Sequence, residues 1–176
     1  MRNLLPMLVA VLCLSTPVHA QPERVVLVRH AEKSAEPKDD PALSSAGQQR
    51  AQALADALEH AQVRSIITTQ FRRTRETAAP LAERLHITPQ VVAASKGDAH
   101  VLEVVAAVRA QQGTVLVVGH SNTVARIAHA LGAPAMADLC ETTFGLALVL
   151  TPAEADAPLL RLRYGAADAA PQAGCQ

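Results

Sequence analysis

The sequence is poor in aromatic residues and has no excess of charge of either sign. Its 176 residues include one Tyr, two Phe and no Trp. A module that stacks bases or sugars on aromatic rings is therefore not expected. The 16 Lys and Arg residues balance 16 Asp and Glu residues. A strongly basic nucleic-acid-binding protein is disfavoured, so we expect no nucleic-acid partner, although a local basic pocket is compatible with this balance.

Long apolar runs are absent except near the N-terminus. Arg2 precedes an apolar run at residues 4–14, and the Val-His-Ala segment at residues 18–20 resembles a small-x-small cleavage site. The run is shorter than the ~20 apolar residues of a membrane-spanning helix. Residues 1–20 are therefore predicted to be a cleaved secretory signal peptide rather than an uncleaved anchor. We expect an exported protein, periplasmic or secreted, with no membrane span after cleavage.

Cysteine is scarce as well. Of three cysteines, Cys13 leaves with the predicted signal peptide, and Cys140 and Cys175 remain. Export places both in an oxidising compartment, which suggests one disulfide that holds the C-terminal tail. Two free thiols are the alternative, because the sequence does not give the distance between the two residues.

The remaining residues, 21–176, are predicted to form one α/β domain. Hydrophobic residues make up 49% of the chain and charged residues 18%, which is typical of a globular protein. Aliphatic runs at residues 25–28 and 115–118 are typical of parallel strands buried on both faces, and residues 66–67 and 91–92 are shorter candidates.

Helical patterns alternate with these strands, at residues 47–60, 71–86, 98–111 and 122–131. Pro80, inside the second of them, is predicted to kink or divide that helix. The alternation predicts a three-layer sandwich with a mostly parallel central sheet.

The C-terminal part has a different pattern. Residues 146–150 and 159–164 are strand-like and are predicted to pair as an antiparallel hairpin. Leu160, Leu162 and Tyr164 alternate with arginines, which predicts that the second strand has one apolar face and one wet face.

Two histidines occupy matching places after the long aliphatic runs. One residue, Arg29, separates the first run from His30, and Gly119 separates the second run from His120. Ligands of open α/β sheets bind beyond the carboxyl ends of the strands. If the two strands are neighbours, the imidazoles face each other across one pocket. The alternative is that each histidine only caps a strand end.

A cluster of arginines opens the second predicted helix. Arg72, Arg73 and Arg75 lie in the segment that follows the strand candidate at residues 66–69. Helix N-termini attract anions, and arginine adds bidentate contacts to phosphate. A solvated helix face is the alternative for some of these arginines.

Three segments carry a resemblance to a known family. The Arg-His-Ala-Glu segment at residues 29–32 resembles the Arg-His-Gly-Glu signature of the histidine phosphatase superfamily, which includes the phosphoglycerate mutases. The segment at residues 69–78 resembles that family's Ser-Pro-Leu-x-Arg-Ala-x-x-Thr-Ala motif, and in this register Arg73 is the phosphate-binding arginine. The Gly-His-Ser-Asn segment at residues 119–122 resembles its second-histidine motif.

The resemblance implies a phosphoglycerate mutase-like fold and a phosphomonoester hydrolase that needs neither metal nor cofactor. It implies that His30 is the nucleophile and forms a covalent phosphohistidine. Arg29, Arg73 and His120 would then surround the phosphoryl oxygens. The expected partner is a phosphorylated small molecule or macromolecule.

The general acid does not follow from the resemblance. Larger family members carry a Glu in an insertion, whereas the segment between residues 92 and 101 is short here. Asp98 and Glu32 are the two candidates, and Asp98 is equally suited to cap a helix. Ala31 also departs from the family, which usually has Gly at this place.

Lower-ranking polar residues complete the candidate site. Lys33, Ser121 and Asn122 are candidates for binding substrate, although a solvated lysine and helix capping by Asn122 are the competing interpretations. The remaining histidines of the domain have no chemical context and are expected at the surface or in packing: His60, His86, His100 and His129.

Two alternative functions remain open at this stage. One is a phosphate-binding module of the same fold without catalysis. The other is a serine hydrolase with Ser121 in a nucleophile elbow, but Thr123 replaces the final Gly of that motif and His129 falls on the same helix. The short cap region also suggests an open site that accepts a bulky substrate.

Overall fold

The computed structural model describes residues 21–95, 97–152, 156–170 and 174–175, so the predicted signal peptide of residues 1–20 lies outside it. Within this part, strands and helices alternate before a final pair of strands. In chain order they are β1 (Pro22–Arg29), α1 (Ser45–Leu58), β2 (Val63–Thr68), α2 (Arg72–Leu85), β3 (Gln90–Val91), α3 (Asp98–Arg109), β4 (Gly113–Gly119), α4 (Ser121–Ala130), β5 (Leu146–Leu150) and β6 (Leu159–Arg163).

The strands form one mostly parallel sheet in the order β3-β2-β4-β1-β5-β6. β1 and β2 both pair in parallel with β4, and β3 pairs in parallel with β2. β5 joins antiparallel to β1, and β6 pairs antiparallel with β5. The predicted α/β class and the C-terminal hairpin are confirmed.

Helices cover both faces of the sheet. Val25 and Leu27 pack in one cluster with α3 and α4, whereas Val26 and Val28 pack in the other with α1 and α2. A strand between two helical layers has no polar face, which explains the unbroken aliphatic run. The predicted three-layer sandwich is confirmed. Of the helices described, none has the length and apolarity to cross a membrane.

Of the two outcomes predicted for Pro80, a kinked helix or a divided one, division is wrong. α2 runs without a break from Arg72 to Leu85 with Pro80 inside it. Proline removes one backbone hydrogen bond. Ala78, Leu81 and Ala82, on both sides of Pro80, are buried against the sheet. This packing outweighs the loss of the hydrogen bond.

The predicted apolar face of β6 is also wrong. Leu160 and Leu162 are 55% and 46% exposed, and only Tyr164, just beyond the strand, is buried. β6 is the last strand of the sheet, so it has a neighbour on one side only. Alternation of apolar residues does not reveal whether a helix covers that strand.

The C-terminal tail is tied to the loop after α4. The Asp168 carboxylate accepts hydrogen bonds from the backbone N–H groups of Phe144 and Gly145, both at 2.9 Å. Cys140 and Cys175 form a disulfide with their Cα atoms 5.0 Å apart. The disulfide hypothesis is confirmed, and the bond closes a loop of 35 positions beside the carboxyl ends of the strands.

Loss of this disulfide is expected to destabilise the fold. For a loop of this length, Cys175→Ser should lower the free energy of unfolding by roughly 3–4 kcal/mol, since the unfolded chain regains entropy. The melting temperature should fall by roughly 10 °C. Thermal unfolding of the wild type and the variant, each with and without reductant, measures this. Equal melting temperatures in the absence of reductant would contradict the stabilising role.

Candidate active site

The two predicted histidines lie at neighbouring strand ends. β1 and β4 pair so that Arg29 is opposite Gly119. The backbone N–H of His30 donates to the Gly119 carbonyl at 2.9 Å. The imidazole of His30 therefore meets that of His120 edge to face, with ring centroids 5.4 Å apart.

The His30 ring is neutral and its orientation is set by the backbone. Nδ1 lies 2.8 Å from the Ala31 carbonyl oxygen, which only accepts, so Nδ1 carries the proton and Nε2 has the free lone pair. Burial, opposed by the hydrogen bond to Ala31 and assisted by the charges of Arg29 and Arg73, lowers the pKa of His30 to about 4. An unprotonated, oriented imidazole is the form that attacks an electrophile.

His120 is held by a chain of hydroxyl groups. Thr74 Oγ1 donates to the Phe71 carbonyl at 2.8 Å, so it accepts from Thr69 Oγ1, 2.9 Å away. Thr69 has thereby used its one proton and accepts from His120 Nε2 at 3.2 Å. Burial is the main cause that lowers the pKa of His120 to about 3, and the next is the repulsion that the two rings would exert on each other if both were protonated. The neutral ring thus carries its proton on Nε2, as a donor.

Arg73 brings a cation to the same cleft. It lies in the first turn of α2, and its guanidinium carbon is 4.2 Å from the centre of the Phe71 ring. The backbone N–H of Ala31 donates to Thr77 Oγ1 at 2.9 Å, which ties the His30 segment to this helix. Arg72, in contrast, pairs with Glu76 on the helix surface.

Arg29 is buried and does not line the cleft. Its Nη1 donates to the Cys140 carbonyl at 2.9 Å, and its Nη2 contacts Glu141 Oε2 at 2.5 Å. Its guanidinium carbon also lies 4.2 Å from the centre of the Phe144 ring. The Glu141 carboxylate therefore covers the side of Arg29 that was expected to meet phosphate.

The structure does not bring the two candidate general acids into the cleft. Glu32 makes three hydrogen bonds of 2.7–3.0 Å to Arg50, whose Nη1 also donates to the Ala166 carbonyl. Asp98 begins α3 and forms an ion pair with Arg126 of α4, in a separate surface depression. Both carboxylates hold elements together.

The cleft that contains both histidines has a volume of about 510 Å³ and is open to solvent. Lys33, Ser121 and Asn122 line it, as the sequence predicted. The N-cap residue of α4 is His120, not Asn122. The backbone N–H of His120 donates to Thr123 Oγ1 at 3.1 Å. The other residues in the lining are His30, Lys38, Asp39, Pro41, Phe71, Arg73, Ala94, Ser95, His100, His120, Thr123 and Glu141.

Lys38, Asp39, His100 and Glu141 are titratable residues of the cleft that the sequence did not identify as site residues. His100, expected at the surface or in packing, is buried beside the cleft with Nδ1 3.2 Å from the Ala93 carbonyl, and its Nε2 has no hydrogen-bond partner among the described residues. Glu141 belongs to no motif and lies in a loop. Its proximity to the disulfide cysteine Cys140 was the only signal in the sequence.

The assembled groups suit the transfer of an anionic group. Two neutral imidazoles, one with a free lone pair and one with an N–H, lie among the cations Arg73, Lys33 and Lys38. Within the described residues, no group of three or more His, Cys, Asp or Glu side chains is arranged to hold a metal ion. A nitrogen lone pair beside positive charge is an arrangement that can attack an electrophilic centre and neutralise an anionic group.

Comparisons with known proteins agree with this arrangement. The family model of the histidine phosphatase superfamily (branch 1) matches residues 25–96. A SixA protein from Nakamurella multipartitia, named as a phosphohistidine phosphatase, is 27% identical, with a TM-score of 0.59 over 82% of this chain and 97% of its own. No curated protein matches the chain.

Two further solved structures share the fold at lower identity. The protein histidine phosphatase SixA complexed with tungstate is 16% identical, with a TM-score of 0.63 over 80% of this chain and 96% of its own. A mycobacterial glucosyl-3-phosphoglycerate phosphatase complexed with VO3 is 17% identical, with a TM-score of 0.61 over 81% of this chain and all of its own.

Acid is expected to destabilise the fold through the imidazole rings of His30, which is buried, and His120, which is partly buried. Both pKa values lie below the value of about 6.5 in the unfolded chain, so the unfolded state binds protons first. The contribution of the two rings to the free energy of unfolding is therefore fully present above pH 6.5. It is lost as the pH drops towards 4, by on the order of 2 kcal/mol per ring at pH 5. Denaturant unfolding at pH 7 and pH 5 measures this loss.

His30→Asn should remove about half of this pH dependence, because one of the two rings no longer titrates. His60→Asn is the matched control, since His60 is exposed and distant from the cleft. Equal pH dependence in wild type and His30→Asn would contradict the neutral state of His30.

Proposed function

This chain belongs to the histidine phosphatase superfamily, and on that premise we propose that it is a phosphomonoester hydrolase that works through a phosphohistidine at His30. One observation supports this most strongly. The His30 ring is neutral, and its Nδ1–H donates to the Ala31 carbonyl. The ring faces a second imidazole in a cationic cleft. The free Nε2 is the nitrogen that attacks phosphorus and splits one displacement into two.

Stabilisation of the phosphoryl oxygens is assigned to Arg73 and His120. Arg73 supplies a fixed positive charge at the N-terminus of α2. His120 supplies the N–H of Nε2, which donates to Thr69 Oγ1 at 3.2 Å and would exchange this partner for a phosphoryl oxygen of the substrate. Charge spreads over the equatorial oxygens in the transition state, so preorganised donors lower the barrier. We assign no resident metal or cofactor to this chemistry.

The proposed substrate is an exported phosphorylated molecule that approaches an open cleft. The cleft is broad and solvent-facing, and Lys33 and Lys38 extend its positive charge. These features support a bulky phosphate ester, whether a phosphorylated macromolecule or a large small molecule. The Cys140–Cys175 disulfide supports the predicted signal peptide, because such bonds persist in oxidising compartments.

The serine hydrolase alternative finds no support in the geometry. The Ser121 hydroxyl donates to the Glu141 carboxylate. Ser121 begins α4, whereas His129 lies near its end, about 12 Å away at 1.5 Å per residue. Because His129 cannot reach Ser121 as a base, hydrolysis by a serine nucleophile is not proposed.

The first test is phosphatase activity on 4-nitrophenyl phosphate, a substrate whose leaving group needs little protonation. Wild-type protein should hydrolyse it in the presence of a metal chelator and be inhibited by vanadate. His30→Ala should lose all measurable activity, because the nucleophile is gone. Quenching the wild type with denaturant at alkaline pH should trap a phosphoenzyme that is stable in alkali and labile in acid, as expected for a P–N bond.

His60→Ala serves as the matched histidine control and should keep wild-type activity. Activity that persists in His30→Ala would refute the phosphohistidine mechanism. A folded wild-type protein that binds vanadate but turns over no substrate would instead establish the non-catalytic binding module.

Arg73→Ala tests the assignment of the phosphate-binding arginine. Loss of a preorganised charged donor should lower kcat/KM by roughly 10²–10³. Arg75→Ala, two positions along α2 on an exposed part of the helix, is the matched control and should stay within about two-fold of wild type. Steady-state kinetics on the same substrate measure both variants, and equal effects would contradict the predicted register.

A further inference from the structure

Glu141 is a carboxylate on the wall of the cleft that no sequence motif identifies. Oε2 contacts Arg29 Nη2 at 2.5 Å, and Oε1 accepts the hydroxyl proton of Ser121. The side chain is 74% exposed although Arg29 beneath it is buried. Glu141 is therefore held from two sides while its carboxylate remains accessible from the cleft.

The other carboxylates are less suited to proton transfer. Glu32 and Asp98 are engaged with Arg50 and Arg126 outside the cleft lining. Asp39 also lines the cleft, on an exposed segment. Glu141 differs from it in being held by contacts with Arg29 and Ser121. Displacement of an alcohol needs a proton donor at the leaving oxygen, and Glu141 is a carboxylate of the cleft lining that two neighbouring side chains hold in place.

We propose that Glu141 is the general acid and base of the reaction, held in place by Arg29 and Ser121. This inference rests on the proposed phosphatase function. It also gives Arg29 a role that its burial permits, since Arg29 positions the carboxylate from behind.

In the first half-reaction, the His30 Nε2 lone pair forms the N–P bond as the P–O ester bond breaks. The leaving oxygen keeps the electron pair of that bond and takes the proton from the Glu141 carboxyl. An alcohol, a phosphohistidine and a Glu141 carboxylate result.

In the second half-reaction, the Glu141 carboxylate takes a proton from water as the water oxygen bonds to phosphorus. The N–P bond breaks and its electrons return to Nε2. Inorganic phosphate, neutral His30 and a protonated Glu141 carboxyl are formed, so one residue serves both steps and the cycle closes.

Arg29 keeps the Glu141 carboxyl group at the wall of the cleft. The Arg29 Nη1 donates to the Cys140 carbonyl, while its Nη2 contacts Glu141 Oε2.

The test is the dependence of kcat/KM on the leaving group in Glu141→Gln, which keeps an acceptor oxygen for Arg29. Substrates are 4-nitrophenyl phosphate, phenyl phosphate and an alkyl phosphate. We expect a loss of roughly 100-fold on the alkyl ester and less than about ten-fold on the nitrophenyl ester, since only poor leaving groups need an acid. A merely structural defect would lower all three rates equally.

Glu103→Gln is the matched control, an exposed glutamate of α3 outside the cleft, and should leave the leaving-group dependence unchanged. The inference is overturned if Glu141→Gln keeps the wild-type dependence, or if Asp98→Asn steepens it instead. Glu141→Gln could instead bind inorganic phosphate more tightly while its leaving-group dependence stays that of the wild type. This result would show that Glu141 only competes with phosphate for the site, and it also overturns the inference. A wild type inactive on all three esters would refute the proposed function itself.

Discussion

The parallel pairing of β1 with β4 is the constraint on which the cleft depends. Its register ends with Arg29 opposite Gly119, and one more hydrogen bond joins the His30 N–H to the Gly119 carbonyl. Parallel strands end at the same edge of a sheet, so the residue after each strand enters one space. Burial there removes water from His30 and His120, which lowers both pKa values and leaves two neutral rings with distinct roles.

Buried arginines support this edge from behind. Arg50 joins Glu32 to the carbonyl oxygens of the C-terminal segment. Arg29 joins the end of β1 to the disulfide-bonded loop through the Cys140 carbonyl. A buried charge without its partner is costly, by about 3–5 kcal/mol when one member of the pair is removed. Each arginine therefore fixes the position of a loop, and the loops carry the polar groups of the cleft.

Close packing restricts the His30 segment further. A Cβ atom built on Gly47 would lie 2.0 Å from the Glu32 carbonyl oxygen, so α1 approaches this segment as closely as backbone allows. The Ser44 N–H donates to the same oxygen at 2.9 Å. Together with the bond from Ala31 to Thr77, these contacts fix the segment from two helices. The orientation of the His30 ring is thus a property of the packed fold as well as of its own backbone.

The sequence predicted the core strands, the helices and the two histidines, and it misjudged features that depend on distant neighbours. The helix continues through Pro80 because the residues on both sides of it are packed against the sheet. Leu160 and Leu162 are exposed because they are not packed against a helix. His100 had no pattern around it that distinguishes a cleft from a surface. Glu32 lies two positions after His30 in sequence, but its carboxylate binds Arg50, 18 positions away.

Local pattern was sufficient for the strands, the helices and the residues at their ends, because side-chain periodicity and motif spacing act over a few positions. The contact between Arg29 and Glu141 spans 112 positions. It exists because β5 returns antiparallel to β1 and the disulfide holds the preceding loop beside it. Such a contact depends on the path of the folded chain, and no spacing in the sequence encodes it.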